Sequence, residues 1–185
     1  KIINKRLKLI GKWLEKQRPN CRWKICVDAN PLLEKAWAEE AGIGWIGKNS
    51  NLINNQSGSW MVLGYLLCTE ELSPDKAGEP LCGKCQACIK ACPTQAIEQP
   101  FVVNADHCLA YHTIENRNST LPTIITEAMG TWVAGCDICQ EVCPWNHQSI
   151  ESSSDPEMQP KEWILKLKKE EALNWSDKKW EKALQ

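Results

Sequence analysis

The chain has 185 residues, and its 22 Lys+Arg against 23 Asp+Glu leave a formal charge of -1, which excludes a global basic excess but not a local basic patch. At 43% hydrophobic residues it is not disordered along most of its length. The longest apolar stretch, Trp60 to Cys68, is far below the ~20 residues that span a bilayer, and no leading segment reads as a secretory signal; a soluble, cytoplasmic protein with no membrane partner is expected.

Residues 1–17 place Ile3, Leu7, Ile10 and Leu14 at helical spacing among Lys and Arg, and Arg18-Pro19-Asn20 ends that helix. The segment begins without an initiator Met or a cap, so the sequence reads as part of a longer chain. Residues 22–27 alternate as a strand, with Asp28 at its exit. Asn30-Pro31 then predicts a helix, Asn30 as N-cap and Pro31 at the first helical position, running through Leu33 and Trp37 to a stop at Gly42. Gly42-Ile-Gly-Trp-Ile-Gly47 satisfies G-x-G-x-x-G, but it follows a helix and runs into Lys48-Asn49-Ser50 and an apolar strand at Leu52-Ile53; a dinucleotide site is rejected. Two readings stay open: a loop whose glycines let the backbone approach something large and flat or charged, or a plain helix-to-strand connection. Trp60 to Cys68 reads as a buried strand, closed by Thr69-Glu70-Glu71 and Ser73-Pro74. Strand, helix, strand, strand make a mixed α/β lobe.

Eleven cysteines is an odd number, and eight of them fall between residues 82 and 143, which poorly matches a secreted disulfide framework. Cys82-x2-Cys85-x2-Cys88-x3-Cys92-Pro93 is the bacterial ferredoxin run for a [4Fe-4S] cluster, whereas zinc sites present separated pairs. A second run, Cys136-x2-Cys139-x3-Cys143-Pro144, repeats three quarters of the pattern, with Val133 where its first Cys would stand and Cys108 the nearest replacement. In two-cluster ferredoxins the fourth Cys of a run ligates the other cluster. Cluster one then takes Cys82, Cys85, Cys88 and Cys143; cluster two takes Cys92, Cys108, Cys136 and Cys139, and all eight thiols are consumed. Backbone N–H groups around Gly83, Lys84 and Gly135 are expected to offset the cluster charge. Cys21, Cys26 and Cys68 read as small buried hydrophobes.

Beyond Cys143, Ser152-Ser153-Ser154-Asp155-Pro156 reads as a linker, followed by two short amphipathic helices near 160–170 and from Ser176. Lys166, Lys168, Lys169, Lys178 and Lys179 read as solvated surface, with weak contact to a polyanion such as RNA as the alternative.

Val27-Asp28-Ala-Asn-Pro31-Leu-Leu-Glu34, Ala41-Gly42-Ile-Gly44-Trp45-Ile-Gly47-Lys48, Cys92-Pro-Thr-Gln-Ala-Ile97, Tyr111-His-Thr-Ile-Glu115 and Gly135-Cys-Asp137-Ile-Cys-Gln-Glu-Val-Cys-Pro-Trp-Asn146, together with the Cys82-Gly-Lys-Cys85 turn, resemble the epoxyqueuosine reductase family over about residues 22–147 and weakly through the tail. The resemblance implies an oxidoreductase, related to reductive dehalogenases, that uses cobalamin and two [4Fe-4S] clusters to reduce epoxyqueuosine to queuosine at the tRNA wobble position. It implies an α+β chain: residues 1–75 as part of a cobalamin-binding α/β catalytic lobe, 76–147 as a ferredoxin-like two-cluster module, and 148–185 as a linker and short helices. The family's N-terminal lobe and its tRNA-gripping C-terminal repeats are not complete here. Partners implied are tRNA and an external low-potential electron donor, with a monomer expected.

Asp28 occupies the family's proton-donor position, where a carboxylic acid desolvated beside a corrin would titrate nearer the working pH. Read without the resemblance, it caps a turn before Pro31. The resemblance places corrin contacts at Asp28, Leu52, Leu63, Ala110, Cys136 and Asp137; Ala110 stands where a Ser is expected. Tyr111 and His112 read as substrate neighbours or, more plainly, as a packed aromatic and a surface histidine. Two other functions compete. A ferredoxin-type electron carrier without catalysis leaves Asp28 and Gly42 to Lys48 unused, and cobalamin titration separates it. A reductive dehalogenase-like enzyme would expect a different proton donor, and an assay on modified tRNA separates that one.

Overall fold

The computed structural model describes residues 1–28, 30–118, 120–147, 155–168, 170–171 and 174–184. Ser152, Ser153 and Ser154 of the expected linker, and Lys169, lie outside the described residues. Helix and strand are mixed, and the chain divides into two compact units, residues 1–151 and 152–185.

In the first unit, helix α1 (Ile2–Gln17) lies on a ribbon of β1 (Trp23–Cys26) and β4 (Tyr65–Cys68), paired antiparallel from Trp23 with Cys68 to Cys26 with Tyr65. The helix turns its Ile3, Leu7, Gly11, Leu14 side inward, and Ile3 and Leu7 pack beside Gly64. The buried strand expected from Trp60 to Cys68 is shorter than its apolar run. Only Tyr65–Cys68 is strand, because β1 offers four residues to pair with, and Trp60 and Val62 stay 46% and 68% exposed.

Helix α2 (Glu34–Glu40) starts after Leu33, three residues past the expected Asn30 cap. Asn30 Oδ1 is taken by the Val27 N–H at 3.1 Å, and the Leu32 N–H bonds Asn30 O at 2.7 Å, so residues 30–33 stay outside the helix. The helix ends as expected. The Ile43 N–H reaches Ala38 O and the Gly42 N–H reaches Glu39 O, with Gly42 at φ +66°, a Schellman close. The following segment is a hairpin, β2 (Trp45–Ile46) with β3 (Leu52–Ile53), not a loop running into one strand. What approaches its glycines is the chain's own backbone: a Cβ on Gly44 would sit 2.1 Å from Ile53 O, and one on Gly78 would sit 1.7 Å from Gly44 O.

The cysteine-rich part is built from short pieces: α3 (Ala87–Ala91), the ribbon β5 (Ile97–Gln99) with β6 (Val102–Val103), a π-turn at Tyr111–Glu115, α4 (Thr123–Ala128) and α5 (Ile138–Glu141). Trp45, Ile53 and Cys143 form a buried cluster with Cys82 and Trp145 against it, so the apolar core reaches the thiols.

The second unit holds α6 (Glu162–Lys166), shorter than the helix expected near 160–170, and α7 (Asp177–Leu184), which starts where a helix from Ser176 is expected. Asp155 caps the turn Pro156–Met158 by accepting from the Glu157 N–H. Trp175 stacks between Trp163 and Trp180 at 5.6 and 4.8 Å, and Lys179 lies 4.0 Å above its ring, where the cation meets the negative π-face. Lys166 pairs with Glu162, so two of the lysines read as plain surface are engaged within this unit.

Candidate metal centre

Eight cysteines surround two cavities. The first, about 250 Å³, is lined by Cys82, Cys85, Cys88 and Cys143, closed by Ile53, Leu81 and Trp145. The second, about 330 Å³, is lined by Cys92, Cys108, Cys136 and Cys139 with Ile97, Leu109 and Ile138. The structure therefore gathers the thiols in the two groups of four expected from spacing. Among the described residues no three His, Cys, Asp or Glu side chains converge on one ion. Each quartet instead rings a volume larger than one ion needs, and the donor chemistry fits a [4Fe-4S] group.

The chain reaches this arrangement because each Cys-Pro segment leads out of its own turn. Cys143 ends the α5 turn and enters the cavity of the first run; Cys92 ends α3 and enters the cavity of the second. Helices α3 and α5 pack together between them. Cys108 is brought in by a link the sequence does not announce. In the π-turn the Thr113 hydroxyl donates to Leu109 O at 2.8 Å and accepts from the Gly135 N–H at 2.9 Å, tying the Cys108 segment to Cys136.

Burial is the main electrostatic fact. It pushes the Cys88, Cys136, Cys139 and Cys143 thiols up, Cys139 to about 12, where the neighbouring Cys136 and Cys88 add to the effect. Packed thiolates of this kind need bound cationic iron beside them to be held ionised. N–H donors offset part of the burden: Ala96 N–H to Cys92 Sγ at 3.2 Å, and the backbone at Ile89, Ile138 and Trp145 toward Cys88, Cys136 and Cys143.

The hairpin turn between β2 and β3 touches both cavities, a role sequence reading missed. Lys48 Nζ donates to Gly83 O at 2.7 Å and Cys85 O at 2.8 Å. Asn49 is 6% exposed, lines both cavities and donates to Cys139 O; Asn51 Nδ2 points at Cys139 Sγ from 3.9 Å. A polar network of Ser59, Asn146 and Gln140 anchors the second run from behind, ending where Gln140 Nε2 donates to Asp137 Oδ1.

Of the expected corrin contacts, Ala110, Cys136 and Asp137 share the second cavity. Leu52 is buried in β3, opposite Ile46. Asp28 and Leu63 lie elsewhere but together: Cys26 pairs with Tyr65, so the residues two further along each strand flank the same end of the β1–β4 ribbon. Asp28 is exposed, holds φ +58°, and is fixed there by its N–H donating to Glu34 Oε1 at 2.8 Å; its carboxylate makes no hydrogen bond or ion pair among the described residues. His112 is buried, not at the surface. Its Nδ1 lies 2.9 Å from Asn116 Nδ2 and its Nε2 lies 2.8 Å from Asp106 O, so both ring nitrogens are committed to structure. Tyr111 is 38% exposed. Cys21 and Cys26 are buried, and Cys68 is half-buried opposite Trp23, at the other end of the ribbon from Cys26.

A family model for a 4Fe-4S double cluster binding domain matches residues 81–146, the segment that carries the eight thiols. The epoxyqueuosine reductase of Synechococcus sp. (strain CC9605) is 61% identical over 184 residues, covering all of this chain and 57% of that protein. A crystal structure of epoxyqueuosine reductase with a tRNA-Tyr epoxyqueuosine-modified tRNA stem loop superposes with TM-score 0.87 at 32% identity, over 98% of this chain and 47% of that one. The Bacillus subtilis epoxyqueuosine reductase, in a structure described as having an aspartate catalytic loop swung out of the active site, superposes with TM-score 0.81 at 32% identity, over 88% of this chain and 42% of that one. The chain thus spans little more than half the length of the curated relatives it matches. Agreement runs along the whole of it, through the thiol quartets and the segments before them, so over its full length this chain is similar to one part of epoxyqueuosine reductases.

Proposed function

We propose that this chain carries the redox part of an enzyme that reduces epoxyqueuosine to queuosine in tRNA, the last step of queuosine biosynthesis. The observation that carries the reading is the sorting of eight thiols into two quartets in a chain 61% identical to a named epoxyqueuosine reductase. When bound, two [4Fe-4S] clusters supply electrons singly and cobalamin supplies a strongly reduced cobalt centre for removing the epoxide oxygen. Cys82, Cys85, Cys88 and Cys143 would hold one cluster; Cys92, Cys108, Cys136 and Cys139 would hold the other.

Ala110, Cys136 and Asp137, on the rim of the second cavity, would contact the corrin, with Leu63 beside Asp28 and the backbone of buried Leu52 as further contacts. Asp28 holds the proton for the departing oxygen. Two features support that role: its carboxylate is not used up by the fold, and its left-handed backbone is held by Glu34, a conformation that costs a non-glycine residue about 1–3 kcal/mol and collects at functional sites. The named relative with an aspartate catalytic loop supports it from outside. In this reading residues 1–75 belong to the cobalamin lobe, 76–147 form the two-cluster module, and 148–185 lead toward the remainder of a longer protein. The enzyme works in the cytoplasm as a monomer, on tRNA, fed by an external low-potential electron donor.

The test is turnover of an epoxyqueuosine-bearing tRNA stem loop by the full-length protein and its Asp28→Asn variant. A general acid contributes about 10²- to 10⁴-fold, so the variant should lose that factor while the cluster and cobalamin spectra stay unchanged. Equal turnover would remove Asp28 from the role, and no turnover by the loaded wild type would remove the reaction.

A further inference from the structure

The two cavities are alike in their thiols and unlike in their charge. Backbone N–H donors reach sulfurs of both, so these do not distinguish them. The charged side chains do. Lys48 is the charged residue lining the first cavity, whereas the second has Lys35 and Asp137, which cancel formally. Lys35 is also turned to the hairpin, donating to Ser50 O at 2.7 Å, and Asp137 is bonded by Gln140. Lys48 is held more closely: its ammonium is fixed on two carbonyls, Gly83 O and Cys85 O, of the loop that carries three ligands of the first quartet. It is placed there by a tight turn, in which the Gly47 N–H bonds Asn51 O and the Ser50 N–H bonds Gly47 O, with Ser50 at φ +60°.

We infer that Lys48 is a positioning and tuning residue: it clamps the Cys82–Cys88 loop and makes a cluster in the first cavity easier to reduce than one in the second. The physical reason is that reduction adds one negative charge to a cluster, which a fixed cation beside it stabilises by Coulomb attraction. Net charge, hydrogen bonds and exposure set cluster potentials, and exposure acts in the same direction, since Cys85 is exposed while no thiol of the second cavity is. Electrons therefore settle on the first cluster in preference to the second. This inference depends on the clusters proposed above.

It is tested by potentiometric titration, followed by electron paramagnetic resonance, of the full-length protein purified without oxygen, as wild type, Lys48→Met and Lys48→Arg. Two separate midpoint potentials are expected for the wild type. In Lys48→Met the upper one should fall toward the lower, narrowing the gap, while the lower stays in place; Lys48→Arg should restore the gap. If Lys48→Met loses iron from one site, Lys48→Gln keeps an N–H donor for the loop and carries the same readout. An unchanged gap in the neutral variant at full iron content overturns the inference, and so does Lys48→Arg behaving like Lys48→Met. A wild type without any [4Fe-4S] signal would instead overturn the cluster reading, whatever Lys48 does.

Discussion

The two thiol cavities use one ligand set in opposite ways. The first draws three of its four cysteines from a single seven-residue turn, and its rim is open at Cys85. The second gathers Cys92, Cys108, Cys136 and Cys139 from three separate segments, two of them tied together through Thr113 and Gly135, and none of its thiols is exposed. A site with three ligands on one local turn can be partly assembled early and reached from solvent. One that depends on long-range links requires the surrounding unit to be folded first.

Ligand removal should separate them most sharply. Cys139→Ala takes away the thiol that burial perturbs most and should drop iron from about eight to about four per chain, with no recovery from added thiols. Cys85→Ala removes an exposed ligand, and an added small thiol should restore most of the lost iron by taking its place. Equal rescue of both variants would erase the distinction. Next in size is chelation: a soluble iron chelator should empty one site several-fold faster than the other, giving two phases in visible absorbance, where a single phase would show the sites to be equally open. The smallest effect compares two glycines, Gly83 at φ +50° beside the first cavity and Gly135 at φ +77° beside the second. A Cβ on Gly83 meets nothing within 4 Å and one on Gly135 meets only Ile114 at 3.7 Å, so Ala at either costs mainly backbone strain, about 1 kcal/mol or a few degrees in melting temperature. A much larger loss at Gly135 would mean that its bond to Thr113 also fails, sharpening the contrast.

Cysteine spacing made the quartets legible, since Cys-x2-Cys turns are local geometry and the cross-ligand rule follows from where the Cys-Pro segments lead. What stayed hidden was non-local. Lys48 and Asn49 looked like a strand approach, and only the folded hairpin carries them 35 to 90 residues along the chain to Gly83 and Cys139. Asn30 looked like a helix cap because sequence cannot say that the Val27 N–H takes its side chain first. The apolar run from Trp60 promised more strand than a four-residue partner can pair. His112 looked exposed, and the π-turn that buries it has no sequence period of its own.

The central claim is that eight sulfurs hold two iron-sulfur cubes. Metal analysis of the full-length protein, purified without oxygen and paired with its visible and electron paramagnetic resonance spectra, tests it most directly. About eight irons per chain with [4Fe-4S] spectra are expected; a colourless preparation, or zinc in place of iron, would contradict the account.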